Sequence, residues 1–417
     1  MVLHFNLSVE NSHYQGDVKR DSNAEMQTGH FGSSELGNHK SIMTTSKTNT
    51  LIPAEKLAQS VQAKCERQHY FPMQGRFITF SITSNAKYKL MYCPMCKLAS
   101  TYWTRFFQLL KRPHRDLLTP FDIPIQQAPP TREKMTIRLY TPTSQFQDYY
   151  KFLFVRDPYS RVLSAYVDKL FAPNPTFWNS IGKFVNHALY SGKAVITRCG
   201  ADITFEEYIR AINFAHKYRS GFGHVDCHDD SFTAACHPCE VNYNFIGKME
   251  TFTQDSLELL TEIGLNATRE VIQMKGKQLA DEDAIMDTVS SPFRWKTDIE
   301  NCISWREALF RVWRKLQIRG IIGRDQFPLN EQEAQEISQQ EFIKLVKETQ
   351  ALTPFNVRKT QRKEAFREIY SQVNKVNLHQ LQITYQRDFQ LFEYDAENPD
   401  IFHVKQSNLT YFGFLSV

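Results

Sequence analysis

Two short segments carry residues able to hold phosphate-like anions. The first is Lys97-Leu98-Ala99-Ser100-Thr101, within CPMCKLASTYWTRFFQLLKR, where an apolar run of strand length gives way to helical spacing. A helix start exposes unpaired N–H groups and the positive end of the helix dipole, and a lysine with two hydroxyls completes a cradle suited to a 5′-phosphate. The glycine-rich loop ending in Gly-Lys-Ser/Thr is absent, which disfavours an ordinary ATPase or GTPase. The plainer alternative is a solvated helix start. The second segment is Arg156-Asp157-Pro158-Tyr159-Ser160-Arg161-Val162-Leu163-Ser164. Arg156 leaves an apolar run at the end where open α/β sheets bind ligands, and Ser164 follows about two helical turns later. A guanidinium offers planar paired donors to phosphate, so both residues suit a single anion. The competing reading pairs Arg156 with Asp157 or Asp168 and gives it only a tethering role.

The elements that must position these residues follow from periodicity. KYKLMY (87–92) reads as a strand, and from Ala99 to Arg112 the residues Trp103, Phe106, Phe107 and Leu110 recur at helical spacing until Pro113. Tyr150–Val155 has the near-continuous apolar character of a buried parallel strand, and Pro158 suits a first helical turn. Thr204 and Glu207 have capping-box spacing ahead of a helix reaching about His216. NYNFIG (242–247) reads as a strand, Thr253–Ile263 as a helix ended by Gly264, and 330–392 as helices. Strands alternating with helices early and helices late predict an α/β sheet flanked by helices.

The chain has 417 residues, a formal net charge of +5 and 41% hydrophobic residues, a balance too mild for a dedicated nucleic-acid binder and better suited to an anionic ligand held by a few placed cations. Residues 1 to about 60 are polar with no sustained apolar period, so order is expected to begin near residue 87. No run approaches the roughly 20 apolar residues of a membrane helix. The N-terminal MVLHFNLSVENSHYQGDVKR lacks the basic and apolar regions of a signal peptide. The expectation is therefore a cytosolic protein or an N-terminal part lying beyond this sequence. Sequons at Asn6, Asn266 and Asn408 would permit glycosylation in a secretory lumen.

Taken in order, the two anion segments resemble the 5′-phosphosulfate and 3′-phosphate motifs of sulfotransferases. The nearest likeness is to the Golgi carbohydrate sulfotransferases, which include the chondroitin and dermatan 4-O-sulfotransferases. RDPYSRVLSAYVDKL is close to that family's second motif, CHPCEVNYNFIGKMET (236–251) resembles its Cys-x-Pro-Cys segment, and ITYQRDFQLFEY (383–394) its terminal block. Cys96 stands where the family usually has Pro before the motif lysine. The resemblance implies a P-loop-like parallel sheet flanked by helices over 86–395, after a flexible stem at 1–85 and before a C-terminal tail at 396–417. It also implies transfer of a sulfuryl group from 3′-phosphoadenosine-5′-phosphosulfate, without a metal, to a hydroxyl of a glycan or proteoglycan of chondroitin, dermatan or N-acetylgalactosamine type. Nucleic acid is not an implied partner. A Golgi lumenal location with membrane association is implied, although no anchor appears in the sequence as written.

On that resemblance Lys97, Ala99, Ser100 and Thr101 hold the donor's 5′-side, and Arg156 with Ser164 its 3′-phosphate. Lys97 is the expected catalytic cation, because negative charge grows on the oxygen bridging sulfur and phosphate. A general base must take the acceptor's proton. His228, eight residues before Cys236, is the candidate, with Asp229 where the family has Trp; His224 and Glu250 are its competitors. Gly247 to Thr251 lines the nucleotide or acceptor site or else forms a structural turn. The cysteines, with two CxxC pairs at Cys93/Cys96 and Cys236/Cys239, allow a zinc site or disulfides. The lumenal setting favours disulfides involving Cys236 and Cys239, with the pairing open. The rival readings are a nucleotide-dependent kinase and a non-catalytic glycan- or zinc-binding protein.

Overall fold

The computed structural model describes residues 51–67, 77–111, 118–124, 127, 133–138, 146–190, 198–218, 227–404 and 411–416. The proposed stem up to residue 50 lies outside them, as do His224, Asn6 and Asn408. Five strands form one sheet in the order β3-β1-β2-β4-β5. They are β1 (Phe77–Asn85), β2 (Leu90–Tyr92), β3 (Glu133–Arg138), β4 (Tyr150–Val155) and β5 (Phe245–Lys248). β2, β4 and β5 run parallel, while β1 is antiparallel to both β2 and β3. The sheet is therefore mixed, a correction to the parallel sheet expected. The reason is local: only residues 86–89 separate β1 from β2, and so short a link closes a hairpin, whereas parallel neighbours need a long crossover.

Order also begins earlier than residue 87. The helix α1 (Pro53–Arg67) buries Ala54, Leu57, Ala58, Val61 and Cys65, and β1 buries Phe80 and Ile82. The α1 stripe is built largely from alanine and cysteine, which gives it too little apolar weight to stand out from its polar surroundings. At the other end, Phe414 is fully buried, and the backbone N–H groups of Phe412 and Phe414 donate to the Glu368 carboxylate at 2.6 and 2.8 Å. The described residues of the expected tail thus pack against the body.

In β4, Phe152, Leu153, Phe154 and Val155 have no exposure, as a strand covered on both faces requires. The helix α2 (Ser100–Lys111) follows β2 and packs Trp103 against Phe152 and Phe154, with ring centroids 5.0 Å apart in each case. The helix α3 (Pro158–Tyr166) follows β4; Asp157 caps it by accepting from the Ser160 N–H at 2.7 Å, and Pro158 occupies its first turn. A π-helical turn, Val167–Phe171, continues it. The capping box of Thr204 and Glu207 opens the helix α4 (Phe205–Lys217). A helix at Phe252–Glu262 ends before Gly264, whose φ of +75° lies in the left-handed region that glycine adopts without penalty. Helices dominate from Asn266 onward, and among them Trp305–Ile318 and Phe355–Ser371 reach the candidate site.

All eight cysteines are paired: Cys65–Cys239, Cys93–Cys236, Cys96–Cys227 and Cys199–Cys302. Neither CxxC closes on itself, and the two motifs meet through Cys93 and Cys236. With every sulfur in a disulfide, the four-thiolate zinc reading has no thiolates to draw on.

Candidate donor-binding site

The carboxyl ends of the adjacent parallel strands β2 and β4 deliver the two anion segments side by side. After β2 the chain turns through Lys97 and Ala99, whose φ values of +67° and +53° lie in the left-handed region, while Leu98 between them stays outside it. Non-glycine residues there cost about 1–3 kcal/mol each and persist only where the surroundings hold them. Two anchors are evident. Leu98 is fully buried, and the Ala99 carbonyl accepts the Trp103 N–H at 3.0 Å. Left-handed residues in a turn can aim neighbouring N–H groups at one concavity, a common anion-binding device. Ser100, half-buried, and Thr101, exposed, open α2 immediately after it.

The Lys97 ammonium pairs with the Asp168 carboxylate at 2.7 Å. Asp168 also receives Lys315 at 2.6 Å and Lys169 at 3.2 Å. Burial lowers the Lys97 ammonium to about 8, against the upward pull of Asp168. Burial alone would raise the Asp168 carboxyl, but Lys315, Lys97 and Lys169 hold it well below the usual carboxylate range. Ser164 lies four residues before Asp168, about one turn earlier on the same helical path.

Arg156 stands half-buried just beyond β4, and its Nη1 donates to the Lys97 carbonyl at 3.5 Å. Of the two tethering partners considered for Arg156 from sequence, Asp168 goes instead to the three lysines. Burial lowers the Arg156 guanidinium to about 10, and the like charge of Arg362 adds to that effect. Glu250 accepts from the Asp157 N–H at 3.1 Å and from the Tyr394 hydroxyl at 2.8 Å, while Lys248 lies 4.3 Å from the Tyr394 ring centre. Glu250 is thereby occupied in joining α3 to the C-terminal block.

His228 is buried at 8% exposure, with its ring edge-on to Phe177 and Nδ1 3.8 Å from the Cys227 sulfur. The Cys96–Cys227 disulfide joins the residues directly before Lys97 and His228. Arg161, fully buried, donates to the carbonyls of Cys227 and Asp230, and the Tyr208 hydroxyl donates to Asp229, so the 227–230 segment is held on several sides. Cys96, Cys227 and His228 come within metal-ligand reach of one another, but the two sulfurs are bonded together.

Sequence reasoning did not reach Lys169, Lys315 or Arg362. Lys315 and Arg362 lie on helices without a motif, and Lys169 reads as one of many helical lysines. Only Asp168 was named from sequence, as a tethering partner for Arg156.

The family model described as "Sulfotransferase family" matches residues 81–315, more than half of the chain. The chain belongs to the sulfotransferase family. It is similar to "Carbohydrate sulfotransferase 11" of Rattus norvegicus, 27% identical over 228 residues, which is 52% of this chain and 64% of the relative. It is likewise similar to "Carbohydrate sulfotransferase 12" of Mus musculus, 25% identical over 252 residues, 54% of this chain and 56% of the relative. A third similarity is to "Carbohydrate sulfotransferase 14" of Danio rerio, 28% identical over 206 residues, 46% of this chain and 51% of the relative. The chain thus spans between half and two thirds of the length of these relatives. No solved structure matches it. The family match covers the whole of the paired β2–α2 and β4–α3 units.

Proposed function

We propose that this chain is a carbohydrate O-sulfotransferase that uses 3′-phosphoadenosine-5′-phosphosulfate and acts on a glycan hydroxyl. The observation that carries the reading is the convergence of Lys97 and Arg156 at the ends of two adjacent parallel strands, the crevice where open α/β sheets take nucleotides. The donor set fits such a molecule: a partly buried surplus of ammonium groups stands on one side and the half-buried Arg156 guanidinium with Arg362 on the other. The bound donor supplies the activated sulfuryl group. Lys97, Ala99, Ser100 and Thr101 would hold its 5′-side, and Arg156 with Ser164 its 3′-phosphate.

Lys97 would stabilise the charge that grows as the sulfur–oxygen bond breaks, a role supported by its ammonium standing at the strand end beside Asp168. His228 is the proposed base for the acceptor hydroxyl, held next to the Lys97 loop by the Cys96–Cys227 bond. The names of the similar proteins and the family match support the glycan class of acceptor. Four disulfides support a lumenal, Golgi-type setting, since such bonds persist in oxidising compartments. Among the described residues no helix is long and apolar enough to cross a membrane.

The test is thermal stabilisation of the full chain by adenosine 3′,5′-bisphosphate, compared with 5′-AMP and ATP. At a hundred times its Kd a ligand adds about 2.7 kcal/mol of stability. Selective stabilisation by the bisphosphate, followed by transfer of labelled sulfate to a chondroitin or dermatan acceptor, is the expected result. Equal responses to all three nucleotides, or dependence on Mg²⁺, would move the reading to a kinase.

A further inference from the structure

Three ammonium groups on one carboxylate is an unbalanced arrangement. Lys97, Lys169 and Lys315 carry three positive charges against the single negative charge of Asp168, a net of two, with side chains only 18%, 21%, 8% and 23% exposed respectively. Removing like charges from water without a counterion is costly, and the arrangement becomes favourable when an anion completes it. Lys315 comes from the helix Trp305–Ile318, 147 residues from Asp168, so a distant element contributes to a site that the two motif segments otherwise build. Lys169 already has a second neighbour, the Phe177 ring at 4.5 Å, whereas Lys315 points its ammonium at Asp168.

We infer that Lys315 is a further donor-binding cation for the 5′-side, and that Asp168 is the positioning residue that fixes both Lys315 and Lys97 there. The inference rests on the donor-site reading above. One N–H of each ammonium goes to Asp168, which sets the direction of the others. The charged groups around Lys97 are Asp168, Lys169 and Lys315 from the side-chain cluster, Arg156 at its carbonyl, and His228 across the Cys96–Cys227 bond. Asp168 and Lys315 act on Lys97 with opposite sign, the first favouring its charged form and the second disfavouring it.

The experiment measures the Kd of the full chain for adenosine 3′,5′-bisphosphate by calorimetry from about pH 7 to about pH 10, where the ligand's phosphates, with a second pKa near 6, stay fully charged. Wild type should lose affinity as Lys97 loses its proton. Lys315→Met should weaken binding about tenfold at neutral pH and move that loss to higher pH. Asp168→Asn should move it to lower pH. Lys315→Arg should restore neutral-pH affinity. A merely structural Lys315 would still move the position of the loss through its charge, but would leave the neutral-pH affinity unchanged. Unchanged neutral-pH affinity in folded Lys315→Met would overturn the inference; should that variant not fold, a curve for Asp168→Asn that coincides with wild type overturns it instead. If wild type itself fails to bind the bisphosphate, the donor-site reading falls first and this inference with it.

Discussion

The Arg156 guanidinium donates to the main-chain oxygen of Lys97 at 3.5 Å, so the side chain of one anion segment rests on the backbone of the other. Arg156 is thereby held in place before any ligand arrives, and its guanidinium fork still has other N–H groups to offer a phosphate.

Arg156→Ala should therefore remove discrimination by the 3′-phosphate. The variant is expected to bind adenosine 3′,5′-bisphosphate and 5′-AMP with similar affinity, a loss of about 1.5–3 kcal/mol for the bisphosphate. Calorimetric titration with both nucleotides checks it, and preserved selectivity would remove Arg156 from the 3′-side.

Lys97→Ala should act on the chemical step. Deleting one donor aimed at developing negative charge lowers kcat by roughly 10²–10³. Steady-state transfer to a chondroitin acceptor at saturating donor measures this, with circular dichroism as the control for folding. A change confined to the donor KM would make Lys97 a binding residue only.

The same lysine should tax stability in a pH-dependent way. Its folded-state pKa is lowered to about 8 from 10.5. A base depressed in the folded state destabilises the fold while the unfolded chain remains protonated, and the penalty fades as pH rises from about 8 to 10.5. Lys97→Met lacks that penalty. Urea denaturation of both proteins should show wild type gaining on Lys97→Met across this window. A gap that moves the other way would mean that Asp168 outweighs burial.

Breaking the tie beside the site should cost both stability and function. The Cys96–Cys227 bond spans 131 residues, and closing a loop of that order contributes roughly 2–5 kcal/mol. Cys96→Ala with Cys227→Ala is expected to lower the melting temperature and to reduce kcat more than donor affinity, because it frees His228 from the Lys97 loop. Equal kcat in a folded double variant would argue against His228 as the base.

Much of this arrangement was legible in the residues themselves. β4 and the helix that Asp157 caps and Pro158 opens, the Thr204–Glu207 box and the stop at Gly264 each come from strong local chemistry. β1 and α1 were not, because their burial rests on alanines, a cysteine and half-polar alternation within a polar stretch. In the site, Lys97 and Arg156 stand just beyond β2 and β4, where the strand-to-helix spacing puts them. Lys315 and Arg362 arrive from helices whose sequence carries no motif. Their role comes from packing between distant elements, which short-range patterns do not encode. Cysteine pairing was hidden for the same reason.

The order of those pairings has a consequence for biosynthesis. Cys65, Cys93 and Cys96 bond to Cys239, Cys236 and Cys227, three bridges nested one inside the next. A ribosome makes the early three first, and each must wait more than a hundred residues for its mate. During that wait the partners within reach are one another and then Cys199, and the innermost native bridge can close before the mates of the outer two have emerged. Expression of this chain therefore calls for an isomerase that undoes early wrong bridges, and a host without one should yield soluble material only after oxidative refolding.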